Sequence, residues 1–312
     1  MSVLTPFALS LLLTAAPTET GLTVAAQPAP LYGTLLAPDG PARAAALILP
    51  GSGPTDRDGN NPLGVAAGTY RKLAEGLAAQ GIATVRFDKR GVAQSAAAAP
   101  SEIDFTFNDN IADAGLWIDE TLARTGFACV WLVGHSEGAL VALATAKDDD
   151  PRICGLVLLS GAGRKAGDVL REQLASAPLP PDLRTAADTA LTDLEAGRTT
   201  EAPPALAALF RPSVQPYMIS WLALDPAALA GAYHGPMMVA QGSTDLQTTL
   251  ADAHALAAAR PDARVVVWDG VNHVLKTAPA DPAANGATYR DPSLPLAPGV
   301  VEDVAGFILQ AR

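Results

Sequence analysis

The segment Gly134-His135-Ser136-Glu137-Gly138 contains the group best suited to covalent chemistry, the hydroxyl of Ser136. An apolar stretch with the sequence CVWLV ends directly before this G-x-S-x-G pattern, and a helical pattern begins inside it. A sharp turn from a strand into a helix exposes such a serine as a nucleophile, and small residues at positions 134 and 138 avoid clashes within the turn. The alternative is that Ser136 only caps the helix. The context favours a nucleophilic serine that attacks an acyl carbon.

A nucleophilic serine needs a base, and the chain has four histidines. His135 lies inside the turn and should point away from Ser136. His234 precedes a predicted strand, which places it at the wrong edge of a sheet, and His254 lies in a helix beside Ala and Leu, where packing is its simplest role. His273 follows the last predicted strand. Because open parallel sheets place their sites at the C-terminal edge, we predict His273 as the base.

A carboxylate should orient this base from the same edge of the sheet. Asp245 follows the predicted strand 237–241, and we predict it as the acid. Asp269 also ends a strand, but it lies only four residues before His273 and is the second choice. The resulting order along the chain is Ser136, Asp245, His273. One large group of G-x-S-x-G enzymes carries its nucleophile, acid and base in this order.

An acyl-transfer site also needs backbone N–H groups that stabilise the negative oxygen of the tetrahedral intermediate. One should come from Glu137, the residue after the nucleophile. The other should come from the glycine-rich loop 50–53, where we select Ser52 and keep Gly53 as the alternative. This loop lacks the Gly-Lys-Ser/Thr ending of a nucleotide-binding loop, so a phosphate-binding role is not indicated.

The elements that must position these residues alternate along the chain. Apolar runs predict strands, and helical spacing with cap signals predicts helices. The predicted strands span residues 22–26, 33–37, 45–49, 82–87, 129–133, 153–159, 237–241 and 264–268, and the predicted helices span 70–80, 108–125, 136–147, 246–259 and 300–310. Nearly continuous apolar strands separated by helices indicate an α/β fold with a mostly parallel, doubly wound sheet.

The alternation is interrupted between residues 163 and 232. This stretch is rich in Ala, Leu, Pro and charged residues, and it predicts several short helices. We therefore expect a core made of residues 20–162 and 233–312, with residues 163–232 inserted as a helical cap. The aromatic residues of the cap should either line an apolar substrate pocket or form a small core of the cap itself. A later stretch rich in Pro, Ala and Gly, residues 276–298, predicts a loop.

The composition excludes several classes of protein. The 312 residues include 32 acidic and 21 basic ones, a net charge of −11. This charge argues against a nucleic-acid partner, because phosphate binding needs clustered positive charge. Hydrophobic residues make up 49% of the chain, so it is not a disordered polyelectrolyte. No apolar run reaches the ~18 residues of a membrane span, so no stable membrane insertion is expected. Nothing in the sequence indicates the oligomeric state.

Two cysteines, Cys129 and Cys154, each begin a predicted strand next to the G-x-S-x-G turn. Two cysteines cannot form a CxxC-type zinc site, and no metal site is predicted. We expect both to be buried free thiols, which are common in protein cores. The alternative is a disulfide between neighbouring parallel strands, which requires an oxidising compartment.

Residues 1–16 read MSVLTPFALSLLLTAA, a short apolar core followed by small residues. This pattern resembles a secretory signal peptide, although no Lys or Arg precedes the apolar core. We expect export to the periplasm or the medium, with the mature chain starting near Pro17. The alternative is a cytoplasmic protein with an N-terminal extension.

Two further motifs flank the predicted site, GSGPTDRDGN at residues 51–60 and FDKRGVAQS at residues 87–95. Together with GHSEG they resemble the α/β-hydrolase superfamily over residues 20–312, and more closely its bacterial branch of serine aminopeptidases and related esterases. The usual form of the second motif has glycine where Ala93 stands. The resemblance implies an α/β-hydrolase fold with a helical cap, no cofactor, and a catalytic triad made of the serine, aspartate and histidine predicted above.

The two motifs also carry five charged residues whose simplest role is structural. We expect ion pairs among them to hold the oxyanion loop against the neighbouring loop, with direct substrate contact as the alternative. These residues are Asp56, Arg57, Asp58, Asp88 and Arg90.

The predicted chemistry favours a serine hydrolase that cleaves carboxylic esters, with a small-molecule ester or amide as the substrate. An aminopeptidase, amidase or lactonase would use the same triad. The predicted cap shows no compact acidic cluster in sequence that would bind a substrate ammonium group. A binding protein without activity is a third alternative. Such a protein tends to lose one residue of the triad, and all three are present here.

Overall fold

The structure, a computed structural model, describes residues 17–311 of the chain. The segment 1–16, on which the prediction of a signal peptide rests, lies outside the described residues. Within residues 17–311 the strands are β1 (Thr18–Val24), β2 (Leu31–Ala37), β3 (Ala44–Leu49), β4 (Asn60–Asn61), β5 (Val65–Ala66), β6 (Ile82–Phe87), β7 (Val130–His135), β8 (Ile153–Leu159), β9 (Met237–Gly242) and β10 (Arg264–Trp268).

Eight of these strands form one sheet in the order β1-β2-β6-β3-β7-β8-β9-β10. The pairs β1–β2 and β2–β6 are antiparallel, and every other neighbouring pair in this sheet is parallel. The inner strands β3, β6, β7, β8 and β9 are buried along nearly their whole length, as expected for a sheet with helices on both faces. The mostly parallel, doubly wound sheet predicted from the sequence is confirmed.

The helices cover both faces of this sheet. In residues 17–311 they are α1 (Thr69–Ala79), α2 (Phe107–Thr125), α3 (Glu137–Thr145), α4 (Ala166–Ser176), α5 (Pro181–Glu195), α6 (Ala207–Phe210), α7 (Gln215–Leu222), α8 (Pro226–Ala232), α9 (Leu250–Ala259), α10 (Pro282–Ala287) and α11 (Val300–Gln310). Helices α1 and α11 share one apolar cluster with the sheet, around Leu77 and Val304. Helices α2, α3 and α9 share the other, around Trp117, Leu143 and Leu256. No helix in these residues is long and apolar enough to cross a membrane.

Several predicted bounds agree with the structure, including those of β6, β8, β10 and α11. Strands β1 and β2 begin before their predicted positions. Helix α9 begins at Leu250, four residues later than predicted, because Thr249 and Asp252 form a capping box that fixes its start. The residues before this cap form a turn after β9, which is the turn that carries the predicted acid.

The predicted loop 276–298 contains the short helix α10, which the sequence analysis missed. Asp281 caps this helix by accepting the Ala284 N–H at 2.9 Å, and Pro282 occupies its first position. An aspartate followed by proline is a helix start signal. The abundance of Pro, Ala and Gly in the surrounding residues obscured that signal.

Residues 163–232, here called the inserted segment, form helices α4 to α8 between β8 and β9. Side chains of these helices build an apolar cluster of their own, around Leu191, Phe210 and Met218. Tyr217 packs instead against the cluster of α2 and α3, and Trp221 contacts both clusters. The aromatic residues are thus divided between a core of the segment and its contact with the sheet layers. The division of the chain into a core domain and a cap stays a prediction.

Cys129 and Cys154 form a disulfide, so the expectation of buried free thiols is wrong. Cys129 immediately precedes β7, and Cys154 is the second residue of the neighbouring strand β8. Because the two strands run in parallel, the Cα atoms of these residues lie 5.2 Å apart, within the range that a disulfide bridges. Both residues are half-buried rather than buried.

Candidate active site

Ser136 occupies a sharp turn between β7 and α3. Its φ of 56° and ψ of −120° lie in a region that residues with side chains rarely adopt. The turn is closely packed: a Cβ atom at Gly134 would lie 2.2 Å from the carbonyl oxygen of Gly138, and one at Gly138 would lie 2.1 Å from that of Leu49. Glycine is therefore required at both positions, as the G-x-S-x-G pattern predicts. The turn leaves Ser136 partly exposed at the end of β7.

His273 and Asp245 meet at the C-terminal edge of the sheet. His273 lies in the loop after β10, and its Nδ1–H donates to Oδ2 of Asp245 at 2.8 Å. Asp245 lies in the turn after β9, where its carboxylate also accepts the Gln247 N–H at 2.8 Å. Asp269 is exposed and accepts the Ser243 hydroxyl at 3.0 Å. Of the two candidate carboxylates, Asp245 is the one that contacts His273.

Opposing effects act on the pKa of Asp245. Burial raises it, whereas the charge of His273, its hydrogen bond and the backbone N–H groups of Gln247 and Thr248 lower it. The lowering effects prevail and bring the pKa of Asp245 to about 2. The carboxylate is therefore ionised at neutral pH, and it can hold His273 in an orientation that directs Nε2 away from it.

A chain of buried hydrogen bonds runs behind the site, from the loop after β3 to His273. The Gly51 N–H donates to the Tyr70 hydroxyl at 2.8 Å, and this hydroxyl lies 2.9 Å from Nδ1 of His135. Nε2 of His135 lies 2.7 Å from the backbone oxygen of His273. Since a carbonyl only accepts, Nε2–H donates to it and Nδ1 accepts the Tyr70 proton. His135 thus supports the loop of His273, and no sequence pattern marked Tyr70 for this role.

The pKa values of His135 and Tyr70 agree with the donor and acceptor roles assigned to them in this series of hydrogen bonds. Burial, followed by the charge of nearby His273, lowers the pKa of His135 to about 3, so its imidazole is neutral. Burial also raises the pKa of the Tyr70 hydroxyl above its usual range, so it keeps its proton and can donate it to His135. A neutral His135 that uses both ring nitrogens in hydrogen bonds is not available as a general base.

The two remaining histidines lie away from Ser136. His234 is exposed, and its Nδ1 lies 2.7 Å from a carboxylate oxygen of Asp149. His254 is exposed on α9, so the expectation that it packs is wrong; this helix buries Asp252, Ala253 and Leu256 instead. Within residues 17–311, no His, Cys, Asp and Glu side chains are grouped so that they could hold a metal ion.

Two cavities meet at Ser136. The smaller, of about 90 Å³, is also lined by His273, Asn61 and Tyr289. The larger, of about 280 Å³, lies between the turn of Ser136 and the inserted segment and is lined by apolar side chains such as Leu170. No hydrogen bond joins the Ser136 hydroxyl to His273 among the described side chains. The two residues are nevertheless brought together, because both line the smaller cavity.

Ser52 and Glu137 lie next to Ser136, and their backbone N–H groups have no acceptor among the described residues. Glu137 is the first residue of α3, where N–H groups point out of the helix end. Ser52 lines both cavities, whereas the N–H of the preceding Gly51 is bonded to a tyrosine hydroxyl. Gly53 lines neither cavity. This arrangement favours Ser52 over Gly53 as the second oxyanion donor.

The side chain of Glu137 is held in a network that the sequence did not indicate. Its carboxylate accepts Nζ of Lys89 at 2.7 Å and the Tyr217 hydroxyl at 2.8 Å. Burial and the charge of Glu137 raise the pKa of Tyr217, so the hydroxyl remains a donor. Lys89 also donates to the backbone oxygen of Gly51 at 3.1 Å. The network therefore joins the loop after β3, the turn of Ser136 and the inserted segment.

Among the charged residues of the two flanking motifs, one ion pair joins the two loops. Arg57 contacts Asp88 at 2.6 Å, and Asp56 accepts the Asp58 N–H at 2.9 Å within its own turn. The other pairs lead to neighbouring elements: Asp58 with Arg71 and Arg86, and Arg90 with Asp113 of α2. None of the five predicted residues lines either cavity at Ser136, so their contacts favour support of the loops over substrate binding.

The fold and the turn of Ser136 are those of an α/β-hydrolase. The model of the family described as serine aminopeptidase, S33, matches residues 63–277, and the chain belongs to this family. The protein is therefore a hydrolase. No curated protein sequence matches the chain.

Solved structures of esterases share the fold of this chain. Est1E from Butyrivibrio proteoclasticus has 15% identity and a TM-score of 0.58, over 93% of this chain and 98% of that one. A thermophilic esterase from Thermogutta terrifontis has 19% identity and a TM-score of 0.53, over 82% of this chain and 92% of the esterase chain. The esterase domain of a Rhodothermus marinus protein has 18% identity and a TM-score of 0.54, over 93% of this chain and 97% of that domain. At these identities the similarity shows the fold alone.

Proposed function

We propose that the protein hydrolyses carboxylic esters through an acyl-enzyme formed on Ser136. The observation that carries this proposal is the contact of His273 with Asp245 at 2.8 Å, beside a cavity that Ser136 also lines. A serine in a strained turn, a histidine and an ionised carboxylate form the set that acyl transfer requires. Membership of a hydrolase family supports the same chemistry.

In the proposed acylation, Oγ of Ser136 attacks the acyl carbon while Nε2 of His273 accepts the hydroxyl proton. Asp245 orients His273 through Nδ1 and stabilises the imidazolium that forms. The N–H groups of Ser52 and Glu137 stabilise the negative oxygen of the tetrahedral intermediate. The intermediate collapses when His273 gives the proton to the alcohol oxygen and the C–O bond of the ester breaks.

In the proposed deacylation, a water molecule takes the place of the alcohol. Nε2 of His273 accepts a proton from this water as its oxygen attacks the acyl carbon. The second tetrahedral intermediate then releases the carboxylic acid, and Oγ of Ser136 recovers its proton from His273. The free site has no hydrogen bond between these two residues, which is consistent with catalytic contacts that tighten when the substrate binds.

The family description makes an aminopeptidase the second candidate, and an amidase or lactonase would use the same groups. An aminopeptidase must hold the ammonium group of its substrate with a carboxylate. Among the described residues, no carboxylate lines the smaller cavity at Ser136, and Glu137, the only one that lines the larger cavity, is already paired with Lys89 at 2.7 Å. The absence of an unpaired carboxylate from these walls favours neutral esters.

A fluorophosphonate, which labels activated serines, tests the proposal when mass spectrometry locates the adduct. We expect labelling at Ser136, and neither labelling nor ester hydrolysis in Ser136→Ala. Ethyl hexanoate and N-ethylhexanamide share the acyl group and the ethyl substituent, and we expect kcat/KM to favour the ester by at least ~100-fold. Faster hydrolysis of leucyl-glycine than of the ester would favour the aminopeptidase. An unlabelled protein that turns over none of these compounds would indicate a binding protein.

We further propose that the protein acts outside the cytoplasm, in the periplasm or the medium. Disulfides form and persist in oxidising compartments, and Cys129 and Cys154 are paired. The signal-like sequence of residues 1–16 supports the same location. N-terminal sequencing of the protein from its host should give a start near Pro17. A soluble cytoplasmic form that retains residues 1–16 would contradict export.

A further inference from the structure

We infer that the substrate is a neutral ester with a bulky apolar acyl group and a small polar alcohol. The inference rests on the proposed function and extends it to the class of substrate. It follows from the unequal size and lining of the two cavities that meet at Ser136, and from the side on which His273 lies.

The position of His273 assigns the leaving group to the smaller cavity. His273 lines the smaller cavity only, whereas Glu137 and Leu140 line the larger one only. The base must give a proton to the alcohol oxygen as the ester bond breaks, so this oxygen lies on the side of His273. The acyl carbon stays bonded to Ser136, and its substituent must extend the other way. The acyl group therefore enters the larger cavity.

The larger cavity, of about 280 Å³, is walled mainly by apolar side chains. Leu140 lies on α3, Val169 and Leu170 lie on α4, Trp221 lies on α7, and Leu246 follows β9. The Leu246 side chain is 50% exposed, so part of its apolar surface is available to a ligand. An apolar acyl chain bound between these side chains would remove its own surface and that of the cavity wall from water. This burial favours binding roughly in proportion to the apolar area buried.

The charged groups of the larger cavity are already neutralised by their neighbours. Arg164 is paired with Asp252 at 3.0 Å and with Glu172 at 2.6 Å, and Glu137 is paired with Lys89 at 2.7 Å. No further Asp, Glu, Lys or Arg among the described residues lines either cavity. A charged substrate would lose hydration here without meeting an unpaired counter-charge. The site is therefore suited to a neutral molecule.

The smaller cavity, of about 90 Å³, has roughly a third of the volume of the larger one and more polar walls. Its lining includes the amides of Asn61 and Gln247 and the hydroxyl of Tyr289, with Gln247 donating to Tyr289 at 3.1 Å. The Asn61 amide oxygen accepts a backbone N–H, while its Nδ2 has no acceptor among the described residues. These groups would bind an oxygen of a short alcohol such as a glycol, and the volume disfavours a long alkyl or aromatic alcohol.

Isomeric esters test this assignment on the full-length protein. Ethyl hexanoate and hexyl acetate contain the same atoms and differ only in which side of the ester carries the long chain. We expect kcat/KM to be at least about tenfold higher for ethyl hexanoate. With the hexanoyl group kept, the 2-hydroxyethyl ester should be hydrolysed at least as well as the ethyl ester, and the benzyl ester less well. An equal or higher kcat/KM for hexyl acetate would overturn the inference.

Two site variants and one matched control locate the effect. Val169→Phe should narrow the larger cavity and lower the ratio of kcat/KM for ethyl hexanoate over ethyl acetate by at least about fivefold. Asn61→Ala should lower the preference for the 2-hydroxyethyl over the ethyl ester. Val265 is 41% exposed on β10 and lines neither cavity, so Val265→Phe should leave both ratios unchanged. If Val169→Phe leaves the ratio of kcat/KM for ethyl hexanoate over ethyl acetate unchanged, the placement of the acyl group in the larger cavity is contradicted.

Fluorophosphonate labelling of the same preparations separates two kinds of failure. If Ser136 is not labelled and no ester is hydrolysed, the proposed function is wrong and the inference falls with it. If Ser136 is labelled and hexyl acetate is the better substrate, esterase chemistry stands and only the assignment of the two cavities is wrong.

Discussion

Lys89 and Glu137 form a buried ion pair beside Ser136: Nζ lies 2.7 Å from Oε1, and the side chains are 11% and 9% exposed. Glu137 directly follows Ser136, and Lys89 also donates to the backbone oxygen of Gly51 at 3.1 Å. The pair thus links the two loops that would supply the oxyanion donors. Such a pair gains little over apolar packing, but removing one partner is costly because the other charge stays buried without a counter-ion.

We expect Lys89→Met to lower the free energy of unfolding by about 3–5 kcal/mol, because it leaves the Glu137 carboxylate without its cation. The double variant Lys89→Met/Glu137→Gln should recover most of this loss. Urea denaturation measures both. The control is Arg124→Met, which removes an exposed i,i+4 pair with Glu120 and should cost less than about 1 kcal/mol. A Lys89→Met protein as stable as the unmodified one would show that the buried pair is not formed.

Ser136→Ala should abolish ester hydrolysis and leave the fold intact. If Ser136 is the nucleophile, kcat should fall by about 10⁴-fold or more. The hydroxyl makes no side-chain hydrogen bond that caps α3, so its removal should change the free energy of unfolding little. Ser101→Ala, in an exposed turn, serves as the control and should keep full activity. Undiminished hydrolysis by Ser136→Ala would refute the proposed nucleophile.

The two candidate carboxylates allow a matched comparison at the acid position. Asp245→Asn should lower kcat by about 10³- to 10⁴-fold, because an amide in this position no longer fixes the tautomer of His273 or stabilises its charged form. Asp269→Asn changes an exposed carboxylate that accepts a serine hydroxyl at 3.0 Å, and it should retain activity. Steady-state kinetics on one ethyl ester decides between them. Loss of activity in Asp269→Asn alone would mean that Asp269 is the acid.

The parts of the site that depend on local sequence were predictable. The turn of Ser136 requires glycine at positions 134 and 138 for steric reasons. Both glycines lie within five consecutive residues, so the amino-acid sequence alone indicates this turn. Asp245 and His273 follow two predicted strands, and parallel strands bring their C-terminal ends to one edge. The rule of sheet topology, rather than sequence proximity, is what places these two side chains together.

Contacts between distant segments could not be predicted in the same way. Tyr217 contacts Glu137 across a separation of 80 residues, and Lys89 contacts it across 48. Glu137 and Lys89 each lie in a recognisable motif, but neither motif indicates that their side chains meet each other or Tyr217. The pairing of Cys129 with Cys154 depends on the register of β7 against β8, which apolar runs alone do not specify. The alternation of strands and helices predicts the sheet layers, while such side-chain contacts follow from details of packing.

The Cys129–Cys154 disulfide joins residues 25 positions apart. A cross-link over a loop of this size stabilises a protein by about 3 kcal/mol, largely by restricting the unfolded chain. We expect dithiothreitol to lower the free energy of unfolding by about that amount. The variant Cys129→Ser/Cys154→Ser should show the same loss and no further response to dithiothreitol. Equal stability of the unmodified protein with and without the reductant would contradict a formed disulfide.

His135 should make the stability of the fold depend on pH. Burial lowers the pKa of His135 from its usual value of 6.5 to about 3. Below pH 6.5 the unfolded chain therefore binds a proton that the folded protein does not, and folding becomes less favourable. The contribution of this group is fully present above pH 6.5 and is lost as the pH falls toward 3, by at most about 1.4 kcal/mol per pH unit.

His135→Gln should make this pH dependence shallower. An amide offers both an N–H for the His273 carbonyl and an oxygen for the Tyr70 hydroxyl, but it cannot take up a proton. Between pH 6 and pH 4 we expect the free energy of unfolding, measured with urea, to fall less steeply in the variant. The difference between the two slopes should approach about 1.4 kcal/mol per pH unit, the value for one proton. Asp245 is present in all three proteins, so its contribution, which is lost as the pH falls from about 3.8 toward 2, cancels in the comparison. The control is His254→Gln, on the exposed face of α9, which should keep the slope of the unmodified protein. If the unmodified protein and both variants show equal slopes, His135 is not buried as a neutral imidazole.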